Sequence, residues 1–81
     1  MISDDQLRQN IAANLQRLLE SRGLTRSALA RLTGDSLMTI SVTVAGKHVP
    51  GTGVVARIAE ALDVSVDRLV NAPPEQLSKV S

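Results

Sequence analysis

The sequence predicts an all-α domain of five helices, and three observations support this prediction. Apolar residues recur at helical spacing, as Leu7, Ile11, Leu15 and Leu18 do near the start of the chain. Serine or threonine residues suited to helix N-caps precede four of the five apolar segments. The 81 residues include no aromatic side chain, so the core must be built from Leu, Ile, Val and Ala, which suit packed helices.

The first two predicted helices have clear start and stop signals. Ser3 and Gln6 fit a capping box at the start of the first helix, and Gly23 offers a left-handed stop at its end. The second helix is predicted over residues 25–33, from an N-cap threonine to the residue before Gly34. The residues of this second helix expected to face the core are Ala28, Leu29 and Leu32.

The third helix is predicted over residues 36–45, although its middle also fits a strand. Residues 39–44 are mostly β-branched and alternate, which taken alone favours a β-strand. No flanking segment offers a partner, and an isolated strand would have unpaired backbone groups. Ser36 supplies an N-cap and Gly46 stands where a helix stop is needed, so the context favours the helix.

A fourth helix is predicted over residues 52–62, and a short fifth helix follows the N-cap Ser65. The residues of the fourth helix expected to face inward are Val54, Val55, Ile58, Ala59 and Leu62. The prolines at positions 73 and 74 are expected to end the ordered structure. The sequence therefore predicts one domain over residues 1–72 and a flexible tail over residues 73–81.

Basic residues are concentrated in the middle of the chain, although the net charge is only +1. Between Arg22 and Arg57 there are five basic residues and one acidic residue, Asp35, which makes this segment +4. The remaining residues carry a net charge of −3. This separation suggests that one face of the domain meets an anion, although a mixed solvated surface would give the same totals.

Several function classes are disfavoured by the composition. The absence of cysteine excludes disulfides and cysteine-based zinc sites, and it is compatible with the cytoplasm, where we expect the protein. No apolar run approaches the ~20 residues that span a bilayer, so we expect no membrane association. We expect no catalytic site, metal or cofactor, because nothing clusters with the single histidine and no phosphate-binding glycine loop is present. Binding of single-stranded nucleic acid is also disfavoured, because the chain has no aromatic side chain on which bases could stack.

Two short helices joined by a glycine-containing turn form a helix-turn-helix candidate. These helices are residues 25–33 and 36–45, and in such a unit the second helix enters the major groove. Ala30 is small enough to let the two helices approach closely, and Ile40 is expected to anchor the second helix to the core. Gly34 stands where a left-handed backbone is often required. Any helical hairpin gives similar signals, so these features alone do not distinguish a DNA-binding unit from another pair of helices.

Four stretches of sequence are more specific than these local signals: residues 22–30, 34–41, 46–50 and 58–69. Through these stretches, in order and without gaps, residues 11–70 resemble the Cro/CI-type helix-turn-helix domain of phage repressors and related bacterial regulators, the XRE or lambda-repressor-like family. The resemblance implies an all-α, five-helix lambda-repressor-like domain. It also implies binding to a double-stranded DNA operator, usually as a homodimer on a two-fold site.

The resemblance implies a set of phosphate contacts. Arg26 and Ser27 stand where the second helix contacts the DNA backbone, and an arginine there donates a charge-assisted hydrogen bond. Ser36 caps the recognition helix, whose exposed backbone amides can face a phosphate. Lys47 and His48 lie in the loop that follows this helix. For Arg26 and His48, plain solvent exposure remains the alternative to a positioning contact.

The base-reading positions that the resemblance implies are Leu37, Met38, Thr39, Ser41 and Val42. The family usually has Gln, Arg, Asn or Lys at several of them, whereas here two side chains can hydrogen-bond and three are apolar. Bidentate readout of guanine or adenine by these side chains is therefore excluded. We expect contacts with thymine methyl groups or a reliance on DNA shape. The alternative is that this apolar face binds a protein.

Other departures from the family concern structural positions. Many members pair a buried arginine in the first helix with a glutamate late in the recognition helix, and the matching residues here are Leu19 and Val44. Replacing both charges is often neutral, whereas losing one costs roughly 3–5 kcal/mol. Thr43 stands where an aliphatic residue is preferred, and its hydroxyl is expected to bond a carbonyl one turn back. Asp63 replaces a usual glycine and is expected to be strained.

The resemblance implies a sequence-specific regulator of transcription without catalytic activity, of the phage-repressor, Cro-like or restriction-modification-controller kind. A dimer would bind a pseudo-palindrome whose half-sites lie about 34 Å apart. The alternative is an interaction module, such as the antitoxin of a toxin–antitoxin pair. Such a module would bind its protein partner through the apolar helix face and the tail.

Overall fold

A computed structural model describes residues 2–73, which form five helices. The helices are α1 (Asp4–Arg22), α2 (Arg26–Thr33), α3 (Leu37–Val44), α4 (Thr52–Leu62) and α5 (Val66–Val70). The predicted all-α architecture is confirmed. Residues 39–44 lie inside α3, so the strand alternative is wrong. Of the predicted tail, residues 74–81 lie outside the described residues.

Short polar side chains cap the first backbone amides of four helices. The hydroxyl groups of Ser3, Thr25, Ser36 and Ser65 each accept a hydrogen bond from the amide three residues later. Each bond satisfies one of the amides that a helix start leaves without a partner in the helix. The helix starts predicted from these residues are therefore confirmed. The fourth helix begins after Gly51 without a side-chain cap.

Left-handed residues end the helices at the predicted positions. Gly23, Gly34 and Asp63 are C-caps with φ of 63°, 79° and 55°. Asp63 is the one non-glycine residue among residues 2–73 with positive φ, so the left-handed conformation from which strain was expected is present. Gly46, with φ of 74°, follows α3, and a Cβ added to it would lie 3.2 Å from the Cβ of Ala12. Both the backbone angle and the close approach to α1 therefore favour glycine at position 46.

All five helices contribute apolar side chains to one core. Its buried members are Ile11, Leu15, Leu18, Leu19, Leu29, Ala30, Ile40, Val44, Val55, Ile58, Ala59, Leu62 and Leu69. Ile40 and Ala30 are buried as predicted. The inward-facing prediction for Leu32 is wrong, because this side chain is 59% exposed. Thr33 is buried in its place, and its hydroxyl donates to the backbone oxygen of Ala30.

The two apolar residues that replace the charged pair of the family both lie in this core. Leu19 and Val44 are 6% and 2% exposed. Their burial avoids the desolvation cost that a charged pair would have at the same place. Thr43 is also buried, and its hydroxyl donates to the backbone oxygen of Thr39 at 2.8 Å, as predicted from its position. The core thus accepts Thr43 because its polar group has a partner.

Side chains of α1 satisfy backbone carbonyls at the C-terminal ends of α3 and α4. The Gln16 amide donates to the Val44 oxygen at 2.9 Å, and the Arg8 guanidinium donates to the Gly46 oxygen at 2.6 Å. The Arg22 guanidinium donates to the oxygen of Leu62, the last residue of α4. The last carbonyls of a helix have no partner inside it, so these bonds fix α3 and α4 against α1.

The end of α5 is held in the same way by two buried asparagines of α1. The Asn14 amide donates to the backbone oxygens of Leu69 and Asn71 at 2.7 and 2.8 Å. The Asn10 amide donates to the oxygen of Val70 at 3.0 Å and accepts from the amide of Gln6. A five-residue helix makes few internal hydrogen bonds, so these side chains supply part of its docking. None of the described helices has the length and apolar character needed to cross a membrane.

Candidate nucleic-acid interface

The α2–α3 pair forms a helix-turn-helix unit with a hydrogen-bonded turn over residues 34–36. The amide of Gly34 donates to the oxygen of Ala30 at 2.9 Å, which closes α2 in the left-handed conformation. The amide of Asp35 donates to the Thr33 hydroxyl at 3.2 Å. Ser36 then caps α3. Each residue of the turn is therefore tied to one of the two helices.

An ion pair attaches this turn to α4. The guanidinium of Arg57 donates to both carboxylate oxygens of Asp35, with nitrogen–oxygen distances of 2.7 and 3.2 Å. The hydrogen bonds from Arg57 lower the pKa of Asp35 from its ordinary value, and partial burial opposes this shift. The same bonds raise the pKa of Arg57. This pair has no local sequence signal, because its members lie 22 residues apart.

The N-terminal end of α3 carries two exposed apolar side chains. Met38 is 72% exposed and Leu37 is 49% exposed. The neighbouring Ser36 hydroxyl accepts from the Thr39 amide at 3.1 Å and contacts the Thr39 hydroxyl at 2.9 Å. The cap serine and Thr39 are thus engaged with each other, whereas the apolar side chains face solvent.

The other base-reading candidates lie closer to the body of the domain. Thr39, Ser41 and Val42 are half-buried. The backbone oxygen of Ser41 accepts from Ala45, and that of Val42 accepts from Lys47, both at 3.0 Å. The five predicted positions therefore differ in accessibility, and the two first residues of α3 are the most accessible of them.

The five predicted phosphate-contacting residues are all exposed: Arg26, Ser27, Ser36, Lys47 and His48. The first two stand in the first turn of α2, directly after the N-cap Thr25. Ser36 caps α3, and Lys47 and His48 follow its end. The structure therefore places all five at the termini of the two helices, where backbone-positioning contacts are usually made.

A surface groove between α2 and α3 brings a further cation to this site. Its lining residues are Ser27, Ala30, Arg31, Gly34, Asp35 and Leu37. Arg31 is exposed and was counted in the basic segment without being assigned a role. Its position four residues after Ser27 on the same helix is the signal that could have identified it, because such residues share a helix face.

The tertiary structure divides the cations of the basic segment into two groups. Arg22 and Arg57 bind the end of α4 and the α2–α3 turn, respectively. Arg26, Arg31 and Lys47 are exposed, and within residues 2–73 their side chains make neither ion pairs nor hydrogen bonds. The second group is therefore the one that is accessible to an anion. Over the described part of the chain, no cluster of His, Asp or Glu side chains could hold a metal ion.

Comparisons with known proteins agree with this geometry. A hypothetical transcription factor, NHTF, from Neisseria has the same fold, with a TM-score of 0.80 and 24% identity over 100% of this chain and 93% of that one. An HTH_3 family transcriptional regulator from Vibrio cholerae is 31% identical, with a TM-score of 0.79 over 95% of this chain. The alignment covers 43% of the Vibrio chain, so this chain spans less than half of its length.

The family assignment follows from the sequence match. No curated protein matches the chain significantly. Residues 10–72 match the model of a helix-turn-helix domain family, and this span contains the whole α2–α3 unit and the two helices that follow it. The chain belongs to the helix-turn-helix domain family.

Proposed function

We propose that the protein is a sequence-specific regulator of transcription that binds double-stranded DNA by inserting α3 into the major groove. The main observation behind this proposal is that the cations of the α2–α3 unit are exposed, whereas its acid is paired. Arg26, Arg31 and Lys47 are exposed and make no ion pair within residues 2–73, whereas Asp35, the one acid of the basic segment, is held by Arg57. This part of the surface therefore offers positive charge to a polyanion.

The dimensions of α3 suit the major groove. An α-helix with its side chains is about 10–12 Å across, and the groove is about 12 Å wide. In this arrangement Leu37, Met38, Thr39, Ser41 and Val42 meet base edges. The residues that would position the domain on the phosphates are Arg26, Ser27, Ser36, Lys47 and His48.

Binding as a homodimer to a pseudo-palindrome completes the proposal. A single domain of this size makes few phosphate contacts, and two-fold sites double them. A regulator of the phage-repressor, Cro-like or restriction-modification-controller kind is supported by the sequence resemblance. The two similar proteins are a hypothetical transcription factor and an HTH_3 family transcriptional regulator, which supports the broader class.

Selection from a random pool of double-stranded DNA, repeated at 50 and 200 mM salt, tests this function. We expect an enriched pseudo-palindrome whose affinity falls steeply with salt, because released counterions drive phosphate binding. In the double variant R26E/K47E we expect binding to be lost and the circular dichroism spectrum to stay unchanged, because both side chains are exposed. Failure to enrich any sequence would contradict the proposal. The capture of a stoichiometric protein partner by the apolar end of α3 would then support an interaction module.

A further inference from the structure

We propose that Leu37 and Met38 make α3 a reader of C5-methyl groups, so that it recognises thymine and 5-methylcytosine in the major groove. This inference rests on the proposed function, because it names the group that the same helix contacts. It goes beyond that function by extending the ligand class from DNA sequence to DNA methylation.

The side chains of α3 offer few hydrogen-bond donors. The Thr39 hydroxyl accepts from the Ser36 hydroxyl at 2.9 Å and keeps one proton to donate. The Thr43 hydroxyl is buried and donates to the Thr39 oxygen. Among the side chains of α3 this leaves Thr39 and Ser41, both half-buried, with a single hydroxyl donor each. The helix therefore has little capacity to satisfy the acceptors of guanine and adenine, and burying those acceptors without partners is costly.

The apolar side chains at the start of α3, in contrast, are exposed and available to a ligand. Met38 and Leu37 are 72% and 49% exposed and stand in the first turn of α3. In a helix-turn-helix unit the N-terminal residues of the recognition helix contact the base edges. The C5-methyl group of thymine is the apolar group that a natural base pair presents in the major groove. Methylation of cytosine at C5 places the same group at the same position of the pyrimidine ring, so one apolar surface accepts both.

Charge complementarity favours DNA over a protein as the occupant of this apolar end. Leu37 shares its groove with Arg31 and Ser27, and within the described residues the acid of that groove, Asp35, is bound by Arg57. No residue of α3 is charged. The N-terminal end of α3 is apolar and uncharged, and exposed cations lie beside it. This arrangement fits the major groove of DNA, where the methyl groups of bases lie between two rows of phosphates.

The test uses the duplex enriched by selection and versions of it in which single thymines are replaced by deoxyuridine. Uracil differs from thymine only by the missing methyl group. At the contacted steps we expect about fourfold weaker binding for each methyl group removed, which corresponds to the loss of one buried carbon. Replacing a contacted thymine·adenine pair by cytosine·guanine should weaken binding, and 5-methylcytosine at that position should restore part of the loss.

Two variants assign the effect to α3. Met38→Ala should abolish most of the difference between thymine and uracil and leave the salt dependence unchanged, since it removes no phosphate contact. Leu32→Ala is the matched control, because Leu32 is an exposed apolar residue on α2, and it should retain the difference. Both positions are exposed, so neither substitution threatens the core.

The outcomes separate this inference from the function on which it rests. An enriched sequence whose uracil and thymine versions bind equally would overturn methyl reading and leave the DNA-binding regulator intact. No enriched sequence would overturn both. A loss of methyl discrimination in the Leu32→Ala variant equal to that in Met38→Ala would also count against the assignment to α3.

Discussion

Asp35 in the α2–α3 turn and Arg57 in α4 form a two-point ion pair, with nitrogen–oxygen distances of 2.7 and 3.2 Å. The pair holds the turn that precedes α3 against α4, a helix of the core. It also neutralises the acid that lies in the groove between α2 and α3. Orientation of the turn and electrostatics of the surface are thus controlled by the same contact.

The first prediction concerns the pH dependence of this pair. The pKa of Asp35 is lowered in the folded state, so the pair stabilises the fold above the pKa of an unfolded aspartate, near 4. That contribution is lost as the pH falls through the lower folded-state pKa. We therefore expect Asp35→Asn to be less stable than the wild type at pH 7, with a difference that shrinks at pH 3. Urea denaturation followed by circular dichroism at both pH values measures it.

The control for this experiment is Glu60→Gln. Glu60 is an exposed acid of α4 that makes no ion pair within residues 2–73. It should change stability little at either pH. A stability difference between wild type and Asp35→Asn that is the same at pH 7 and pH 3 would show that the ion pair does not contribute.

The second prediction concerns the buried amide that docks α5. Asn14→Ala removes the donor to the oxygens of Leu69 and Asn71, and leaves these carbonyls without that partner. The expected loss in the free energy of unfolding is about 1–3 kcal/mol. Urea denaturation of this variant is compared with that of Gln9→Ala, an exposed position on the same helix, which should be nearly neutral. Equal stability of the two variants would rule out a docking role for Asn14.

The third prediction uses the buried residues that replace the family's charged pair. Leu19→Arg or Val44→Glu alone buries one uncompensated charge and should cost about 3–5 kcal/mol, enough to unfold a marginally stable domain. The double variant allows the two charges to pair and should cost less than the sum of the single changes. A double-mutant cycle, read from the fraction folded or from chemical denaturation, gives this coupling energy. Strict additivity would mean that the two side chains do not meet.

The fourth prediction concerns phosphate binding by Arg26. Arg26→Ala should weaken binding to specific and random duplexes alike and reduce the slope of log K against log salt by about 1. Fluorescence anisotropy at a series of salt concentrations measures both quantities. Arg68→Ala removes an exposed arginine of α5 and serves as the control, since it should leave the slope unchanged. An unaltered slope in Arg26→Ala would remove this residue from the set of phosphate contacts.

The helix boundaries could be predicted because their signals are local. The N-cap hydroxyls act on amides three residues later, and the left-handed glycines act on carbonyls within the same turn. Even the ambiguous residues 39–44 were assigned correctly once a cap, a stop and the lack of a partner strand were considered. The Thr43 hydroxyl bond was predictable for the same reason, because its acceptor lies one turn back.

The outward position of Leu32 shows the limit of such reasoning. Periodicity in an eight-residue helix leaves the direction of the apolar face uncertain by about one residue, or 100°. The packing of α2 against α3 and α4 decided that direction and buried Thr33, whose hydroxyl is satisfied within its own helix. For the candidate site, the resemblance gave five phosphate positions, which are all exposed, and five base-reading positions, of which Thr39, Ser41 and Val42 are half-buried. Arg31 was missed because it matches no motif.

By itself the sequence determined the all-α class and the five helices with their caps, and its resemblance to a known family identified the α2–α3 unit. The helices and their caps depend on hydrogen bonds and apolar spacing within a few residues. Only the tertiary structure decided which cations remain exposed and how α1 holds the ends of the other helices. Arg57 meets Asp35 across 22 residues, and Asn14 meets Asn71 across 57. Such contacts have no local signature, because they depend on how the completed helices pack around the core.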